Sequence, residues 1–446
     1  MTKSVLRIGS GAGMADDRIP PAADIAEKGA LDFLVMECLA ERTIARETQS
    51  RLKDPASGYT PSLPERIRAV LPACQRNGTR IVTNMGAANP QAAAAIILEV
   101  AKELGLRPPS IAVVTGDDVT DIVRSRPDLT TLEDDLPLQE ILPQVISANA
   151  YLGADAVRDA LATGADIVVT GRVADPSLFV GPMLHHFGWS LDDWKRLACA
   201  TLAGHLLECS AQLTGGCFAE PGLKDVPRLA ELGYPFVDVS CDGGIVFSKT
   251  PGSGGRIDKA TCTEQLLYEI HDPVAYITPD CVLDITDVDF HQEADDRVRA
   301  TGAKARPRTD SYKVVVGYAD GYIGAGEMGF AGINAVARAK LGAEVVKERL
   351  ARRGFVYPEM KIDLIGMSSL HGGLDEKAEP YEVRLRIAAR TPDRKAAAAV
   401  GAEVRSLHMQ GPCGAGGGYS LGVSEVLAVK SVLLPRNLVQ SRIEVM

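Results

Sequence analysis

The stretch TRIVTNMGAANPQAAAAIILEVAKELGLRPPSIAVVTGDDV (residues 79–119) contains two short β-branched runs on either side of an alanine-rich segment. The runs TRIVT and IAVVT are almost continuously apolar, which is typical of strands that are covered on both faces of a sheet. The segment between them has the alanine content and the apolar period of a helix. A strand, a helix and a second strand in this order predict a βαβ unit with parallel strands.

The same order of elements repeats on both sides of this stretch, from Val5 to Arg172. Each repeat places a short apolar run before a polar or glycine-rich loop, and a helical segment follows the loop. The other strand-like runs are VLRIGS (5–10), LDFLVME (31–37) and ADIVVTGRVADP (165–176). We therefore predict that residues 1–235 form an α/β domain with a parallel sheet flanked by helices.

The pattern changes after residue 235. The segment VDVSCDGGIVFSK (237–249) has the form of a hairpin with its turn at CDGG. Later runs such as YKVVVGYADGYIGAG (312–326) alternate as antiparallel strands do, and helical segments occupy about 331–353 and 392–407. We expect residues 236–446 to form an α+β domain with a mostly antiparallel sheet, which completes a cleft with the first domain.

The composition excludes several classes of partner. The 446 residues carry a formal net charge of −10 without a basic cluster, which argues against nucleic acid or an anionic membrane. No run approaches the ~18 apolar residues of a membrane span, and the N-terminus lacks the apolar core of a signal peptide. The 9 cysteines form no CxxC or other metal spacing, so we expect reduced thiols and no bound metal. These features predict a cytoplasmic protein.

Polar side chains follow each predicted parallel strand. In parallel α/β sheets, ligands bind beyond the carboxyl ends of the strands, where successive loops converge. Any one of these residues could instead be a helix cap or a turn former, but all five loops carry such groups. We therefore predict a ligand site built from Asp16, Arg18, Glu37, Glu41, Asn84, Asp118, Arg172 and Asp175.

Glycine-rich runs do not establish a nucleotide site. The run GSGAGM (9–14) has the spacing GxGxG rather than GxGxxG, and two aspartates follow it where a phosphate would meet repulsion. No GxxxxGK[ST] motif is present, so we expect no nucleotide cofactor. The run GSGG (252–255) precedes a helical segment, and the amides of Gly254 and Gly255 are candidates for holding an anion of the substrate.

The stretch GHLLECSAQLTGG (204–216) is the strongest candidate for catalysis. His205 and Glu208 are three residues apart, so a helix places them on one face, where they could work as an acid–base pair. Alternatively they satisfy each other in an inert core, supply two ligands of a metal, or flank a nucleophilic Cys209. The glycines that follow would let the amides of Gly215 and Gly216 approach an oxyanion, and Glu220 lies just beyond.

Several motifs together resemble the acyclic terpene utilisation A (AtuA) family. They include GSGAGMADDR, LVMECLAERTIAR, GADIVVTGRVADPSL, LAGHLLECSAQLTGGCF and TEQLLYEIHDPVAYITPD, and the likeness runs from about Val5 to Arg436. The resemblance implies a role beside acyl-CoA catabolism of branched and terpenoid acids. Longer members carry an additional C-terminal ferredoxin-like domain, which we expect this chain to lack. We therefore expect a separate small ferredoxin-like subunit to supply it, and a homo-oligomer or hetero-complex.

The leading hypothesis is a lyase of the hydratase type that acts on a small carboxylic acid or its acyl-CoA thioester. In it Glu208, with His205, moves the proton, Asp16 and Glu220 complete the cleft, and guanidinium groups of Arg18 and Arg172 bind the substrate anion. The alternatives are a hydrolase of a thioester or amide, and a non-catalytic subunit whose loops hold a partner.

Overall fold

The computed structural model describes residues 4–372 and 379–446. The helices are α1 (Pro20–Lys28), α2 (Glu41–Lys53), α3 (Leu63–Asn77), α4 (Pro90–Glu103), α5 (Thr120–Arg124), α6 (Ala154–Ala162), α7 (Ser177–Phe187), α8 (Trp194–Glu208), α9 (Lys259–Leu267), α10 (Ala335–Arg352) and α11 (Arg394–Gln410). The strands are β1 (Val5–Ala12), β2 (Phe33–Met36), β3 (Arg80–Thr83), β4 (Ile111–Thr115), β5 (Val145–Ala150), β6 (Ile167–Thr170), β7 (Pro235–Ser240), β8 (Ile245–Lys249), β9 (Tyr276–Ile277), β10 (Val282–Asp284), β11 (Asp289–Ala294), β12 (Arg297–Thr301), β13 (Lys304–Arg306), β14 (Ser311–Ala331), β15 (Glu359–Ile365), β16 (Glu382–Thr391), β17 (Ala415–Pro435) and β18 (Arg442–Val445).

A parallel sheet forms the centre of the first half, as the sequence predicts. Its strands lie in the order β1-β2-β3-β6-β4, and each neighbouring pair is parallel. All four residues of β2 and of β6 are buried, because helices cover both faces of the sheet. Leu6 and Val168 contribute to the core on one side of the sheet, and Leu34 and Val169 to the core on the other.

Antiparallel strands extend this sheet at both edges. Strand β7 pairs with β1 and with β8, and the predicted hairpin is confirmed by the Ser240 amide, which donates to the Gly244 carbonyl over 2.9 Å. At the other edge β18 runs antiparallel to β4. The sheet therefore continues past residue 235, because Val237 and Val239 of β7 are fully buried in the same core.

The chain divides into two compact units, of which the first comprises residues 1–317 and 429–446 and the second residues 318–428. This division differs from the expected boundary near residue 235. The antiparallel second sheet is nevertheless present, so the mixed α/β class with a parallel first half and an antiparallel C-terminal sheet is confirmed.

The second unit has the element order β14-α10-β15-β16-α11-β17 and the strand order β15-β16-β14-β17. This βαββαβ order, with its strands in the spatial order 4-1-3-2, is a ferredoxin-like arrangement. Phe330, Leu385, Val346 and Val404 are buried together between the sheet and its two helices. This chain thus carries a ferredoxin-like unit of its own, while the separate small subunit stays a prediction.

The carboxyl ends of the parallel strands lie at one edge of the central sheet, and the segments that follow them carry the polar residues named above. Among the helices within residues 4–372 and 379–446, none combines the length and the apolarity that crossing a bilayer requires.

Candidate active site

Helix α8 holds His205 and Glu208 on one side of the central sheet. Its N-terminus is capped by the carboxylate of Asp193, which accepts a hydrogen bond from the Arg196 amide over 3.2 Å. The second half of the helix, from Leu202 to Leu207, is buried. A polar side chain in this part of the helix therefore needs a hydrogen-bond partner. Glu208 is its last residue.

His205 is hydrogen-bonded at both ring nitrogens. Its Nδ1 lies 3.1 Å from Oε1 of Glu208, and its Nε2 lies 3.1 Å from the carbonyl oxygen of Leu266. A carbonyl oxygen can only accept, so Nε2 must carry the hydrogen. The neutral imidazole then presents a lone pair at Nδ1 to the carboxyl of Glu208. Two lone pairs facing each other repel, so the pair holds one proton between Nδ1 and Oε1.

The pKa values of the pair agree with this shared proton. Burial raises the pKa of Glu208, and the lowering by His205 does not offset it. Burial alone would lower the pKa of His205, but the hydrogen bond and charge of Glu208 outweigh it and leave that pKa raised. The pair therefore keeps its proton to a higher pH than either side chain would keep one in water.

Glu208 also faces a cavity, whereas His205 is sealed behind it. The Oε2 atom of Glu208 is buried and has no hydrogen-bond partner among the described residues. Glu208 lines a cavity of about 270 Å³, which we name cavity A. Its wall includes Glu41, Tyr151, Asp175, Glu208, Tyr276 and Lys313. A cavity-lining carboxyl group with one unpartnered oxygen is a candidate to exchange a proton with a bound molecule.

Lys313 supplies the positive charge of cavity A. Of the residues that line this cavity in the described ranges, only Lys313 has a cationic side chain. Its ammonium lies 3.2 Å from Oε1 of Glu41 and 5.1 Å from the centre of the Tyr151 ring. The Tyr151 hydroxyl donates to the same carboxylate oxygen over 2.9 Å. Burial would raise the pKa of Glu41, but Lys313 and Tyr151 outweigh it, so this pKa is lowered.

Arg172 lies behind this wall, although the sequence suggests that it binds the substrate. Its side chain is 1% exposed, and its guanidinium donates to the carbonyl oxygens of Val173 and Leu39 and pairs with Asp175. The guanidinium also stacks under the Tyr151 ring, 4.4 Å from its centre. Arg172 therefore fixes Tyr151 and Asp175, which line the cavity, instead of meeting a ligand itself.

Glu37 and Asn84 belong to the same supporting layer. Oε1 of Glu37 accepts hydrogen bonds from the Leu39 amide over 2.7 Å and from Nδ2 of Asn84 over 2.9 Å. Burial raises the pKa of Glu37 although Arg172 lowers it. Both side chains are buried, so they hold the loop after β2 in place and do not reach cavity A.

The remaining expected residues lie away from cavity A. Asp16, Arg18 and Glu220 are exposed, and the Arg18 guanidinium donates to the Ala230 carbonyl over 2.9 Å. The amides of the four glycines already donate to backbone carbonyls, over 3.2, 2.9, 2.8 and 2.8 Å for Gly215, Gly216, Gly254 and Gly255. The expected oxyanion and anion contacts at these glycines are therefore not supported by the structure.

The surroundings of Cys209 and of the potential metal ligands bear on two alternatives for this site. Burial, together with the charge of Glu208, raises the pKa of the Cys209 thiol, which opposes a role as a nucleophile. No group of three or more histidine, cysteine, aspartate or glutamate side chains suited to hold a metal occurs in the part of the chain that the structure describes. Asp118 lies at a different cavity, where its carboxylate accepts from the amide and the hydroxyl of Thr120.

Fold and site together define an α/β protein with a buried carboxyl–imidazole pair at the wall of a ligand-sized cavity. The chain belongs to the AtuA family: the family model described as acyclic terpene utilisation family protein AtuA matches residues 6–445. This membership links it to the utilisation of acyclic terpenes. Comparisons with curated proteins and with solved structures gave no match.

Proposed function

We propose that this protein is a hydratase-type lyase that acts on a small unsaturated carboxylic acid or its acyl-CoA thioester during acyclic terpene utilisation. The observation that carries the proposal is Glu208, which lines cavity A and whose Oε2 is buried without a partner among the described residues. The other oxygen of the same carboxyl is hydrogen-bonded to His205. The carboxyl group of Glu208 thus shares a proton with His205 and also lines cavity A.

Glu208 is the base and the acid of the proposed reaction. With the shared proton on His205, Glu208 is a carboxylate, and its Oε2 takes a proton from a bound water. The water oxygen bonds to the β-carbon of the substrate while the C=C π bond breaks and negative charge moves to the carbonyl oxygen. The α-carbon then takes the proton back from Glu208. One O–H bond and one π bond are exchanged for one C–O and one C–H bond, without net transfer of electrons.

Lys313 stabilises the charge that develops on the carbonyl oxygen. A cation at the wall of a partly closed cavity interacts with an oxyanion more strongly than a cation in water does. Glu41 holds the ammonium in place, and because the pKa of Glu41 is lowered its carboxylate stays ionised beside the ammonium. Tyr276 and Pro176, which also line cavity A, would contact the apolar part of the substrate.

A hydrolase is the alternative that the same geometry permits. The water that Glu208 activates would then attack the thioester carbonyl, break the C–S bond and release free coenzyme A. The raised pKa of Cys209 favours this carboxylate-activated water over a thiol nucleophile. A non-catalytic subunit would show neither reaction.

A substrate panel separates these functions. The purified protein is incubated with short branched enoyl-CoA thioesters and with the corresponding free acids, and the products are identified by mass spectrometry. Incorporation of one water into the acyl chain supports the hydratase. Release of free coenzyme A identifies the hydrolase. Absence of both reactions, also after a small ferredoxin-like subunit is added, contradicts catalysis.

A further inference from the structure

A second cavity, which we name cavity B, lies beyond the carboxyl end of β4 in the first unit. It has a volume of about 440 Å³, and the residues that matter below are Arg51, Asp117, Asn149 and Arg442. None of these four residues lines cavity A. Cavity B is therefore a separate space, and the proposed reaction at Glu208 makes no use of it.

Asn149 lines cavity B and has a buried side-chain acceptor without a partner among the described residues. Its side-chain amide donates from Nδ2 to Oδ2 of Asp117 over 2.9 Å. An ionised carboxylate can only accept, so this contact fixes the orientation of the amide. The Oδ1 atom of Asn149 is then left buried without a partner among the described residues, although Asn149 is only 3% exposed. A buried amide oxygen without a donor is destabilising unless a bound molecule supplies one.

The base of cavity B is held rigidly. Oδ2 of Asp117 also accepts a hydrogen bond from the Arg172 amide over 2.9 Å. Gly171 is required at this point, because a Cβ atom there would lie 2.6 Å from the carboxylate oxygens of Asp117. Burial raises the pKa of Asp117 to about 6, so its carboxylate is ionised at neutral pH. The orientation of Asn149 is therefore set before any ligand arrives.

Two guanidinium groups also line cavity B. Arg51 of α2 uses Nη1 to donate to the Ala88 carbonyl over 2.7 Å, which leaves most of its N–H donors free of contacts with described residues. The backbone of Arg442 pairs with Thr115 in the sheet, but its guanidinium forms no hydrogen bond or ion pair with any residue in the described ranges. The carboxylate of Asp118, which also lines the cavity, is occupied by Thr120. The cavity thus offers cations for an anion and one acceptor for a neutral donor.

We propose that cavity B binds a small hydroxy acid, whose hydroxyl donates to Oδ1 of Asn149 and whose carboxylate pairs with Arg51 and Arg442. This gives the buried amide oxygen its missing donor and matches the guanidinium groups with a planar anion. The site is independent of the reaction at cavity A.

The test uses 3-hydroxybutyrate as the probe, with butyrate and 3-aminobutyrate as analogues, and isothermal titration calorimetry of the full chain. A ligand this small reaches a Kd of about 1 mM. We expect butyrate, which lacks the donor, to bind at least tenfold more weakly. Arg51→Gln combined with Arg442→Gln should weaken binding of the hydroxy acid by at least tenfold, because two charge-assisted contacts are lost. Arg42→Gln, on the same helix as Arg51 but outside cavity B, should leave binding unchanged.

Four results would overturn the proposal. They are no binding of 3-hydroxybutyrate, equal binding of butyrate, tighter binding of 3-aminobutyrate, and a Kd that depends on Lys313→Met in cavity A but not on the two arginines. Thermal unfolding of each variant shows that the fold is retained. Enzyme activity does not enter this test, so its failure would leave the hydratase proposal untouched.

Discussion

The Nδ1 atom of His205 lies 3.1 Å from Oε1 of Glu208, and this contact needs a proton that neither side chain would share in water at neutral pH. The need arises because the Leu266 carbonyl oxygen holds the other ring nitrogen, Nε2, as the donor. Glu208 also lines cavity A, and its remaining oxygen, Oε2, is buried without a partner among the described residues. The carboxyl group that takes part in the buried contact with His205 is therefore also the one proposed to react with the substrate.

Replacing Glu208 with glutamine should abolish most of the catalysis and leave the fold intact. Glutamine has nearly the same shape, and its amide can donate to Nδ1 of a neutral His205. Loss of a positioned acid–base group lowers kcat by about 10²–10⁴-fold. The measurement is the rate of water addition to the best substrate of the panel, with thermal unfolding as the check of the fold.

Glu269→Gln is the matched control for this variant. Glu269 also lines cavity A, but unlike Glu208 it is exposed. We expect the rate of the Glu269→Gln variant to change by less than about tenfold, which is below the loss expected when an acid–base group is removed. Equal rates for the Glu208→Gln variant and the unmodified protein would contradict the role of Glu208 as acid and base.

The shared proton should make stability depend on pH. Well above about pH 6.5 both side chains of the unfolded chain have lost their titratable protons, since free histidine and glutamate titrate at about 6.5 and 4.3. The folded pair, in which both pKa values are raised, still holds one. The folded state therefore binds more protons, and the free energy of unfolding falls as pH rises, by about 1.4 kcal/mol per pH unit, until the pKa of the folded pair is passed.

Urea unfolding between about pH 6.5 and 8.5, at and above the pKa of free histidine, measures how the free energy of unfolding changes with pH. In the Glu208→Gln variant the contact with His205 needs no extra proton. The free energy of unfolding should therefore fall less steeply with pH than in the unmodified protein. Groups that titrate elsewhere are common to both proteins and cancel in the difference. Identical slopes would show that the pair holds no extra proton in the folded state.

Lys313→Met should weaken substrate binding and the stabilisation of the carbonyl oxygen. A hydrogen bond to a charged group contributes about 1.5–3 kcal/mol, so kcat/KM should fall by roughly 10–150-fold. Lys313→Arg, which keeps the charge, should recover part of the loss. Lys304→Met serves as the control, because Lys304 also pairs with a carboxylate, that of Asp287, but does not line cavity A. An unchanged kcat/KM in Lys313→Met would remove Lys313 from the mechanism.

Much of the central sheet could be predicted from local pattern. Each of the five predicted parallel strands is present, because a short β-branched run buried on both faces is a signal carried by adjacent residues. The spacing of His205 and Glu208 likewise determines their common face. Strand β5 was not anticipated, since its run VISANA (145–150) mixes small and polar residues and its partner is the distant β14.

The composition of cavity A could not be predicted in the same way. Lys313 stands 272 positions after Glu41, its partner, and only the pairing of β14 with β5 brings its strand to this edge. Local pattern also cannot show whether an arginine after a strand points into a cavity or behind its wall. Polar residues at strand ends therefore indicated the edge of the sheet at which Glu41 and Asp175 line cavity A, but not which of the predicted residues line it.

Replacing Arg172 tests whether this arginine supports the wall of cavity A or binds the substrate. Its guanidinium is buried, donates to the Val173 carbonyl over 3.1 Å from Nε and 2.9 Å from Nη2, and lowers the pKa of the buried Glu37. Arg172→Met would leave Glu37 without its compensating charge and remove the donors for the carbonyl oxygens of Val173 and Leu39. Removing one partner from a buried ionic cluster usually costs about 3–5 kcal/mol, so urea unfolding should show a loss of this size.

Arg107→Met, which breaks the exposed pair with Asp166, is the control and should change stability little. If Arg172 instead bound the substrate, Arg172→Met would keep its stability and raise KM, and the wall of cavity A would have to open far enough to expose the guanidinium.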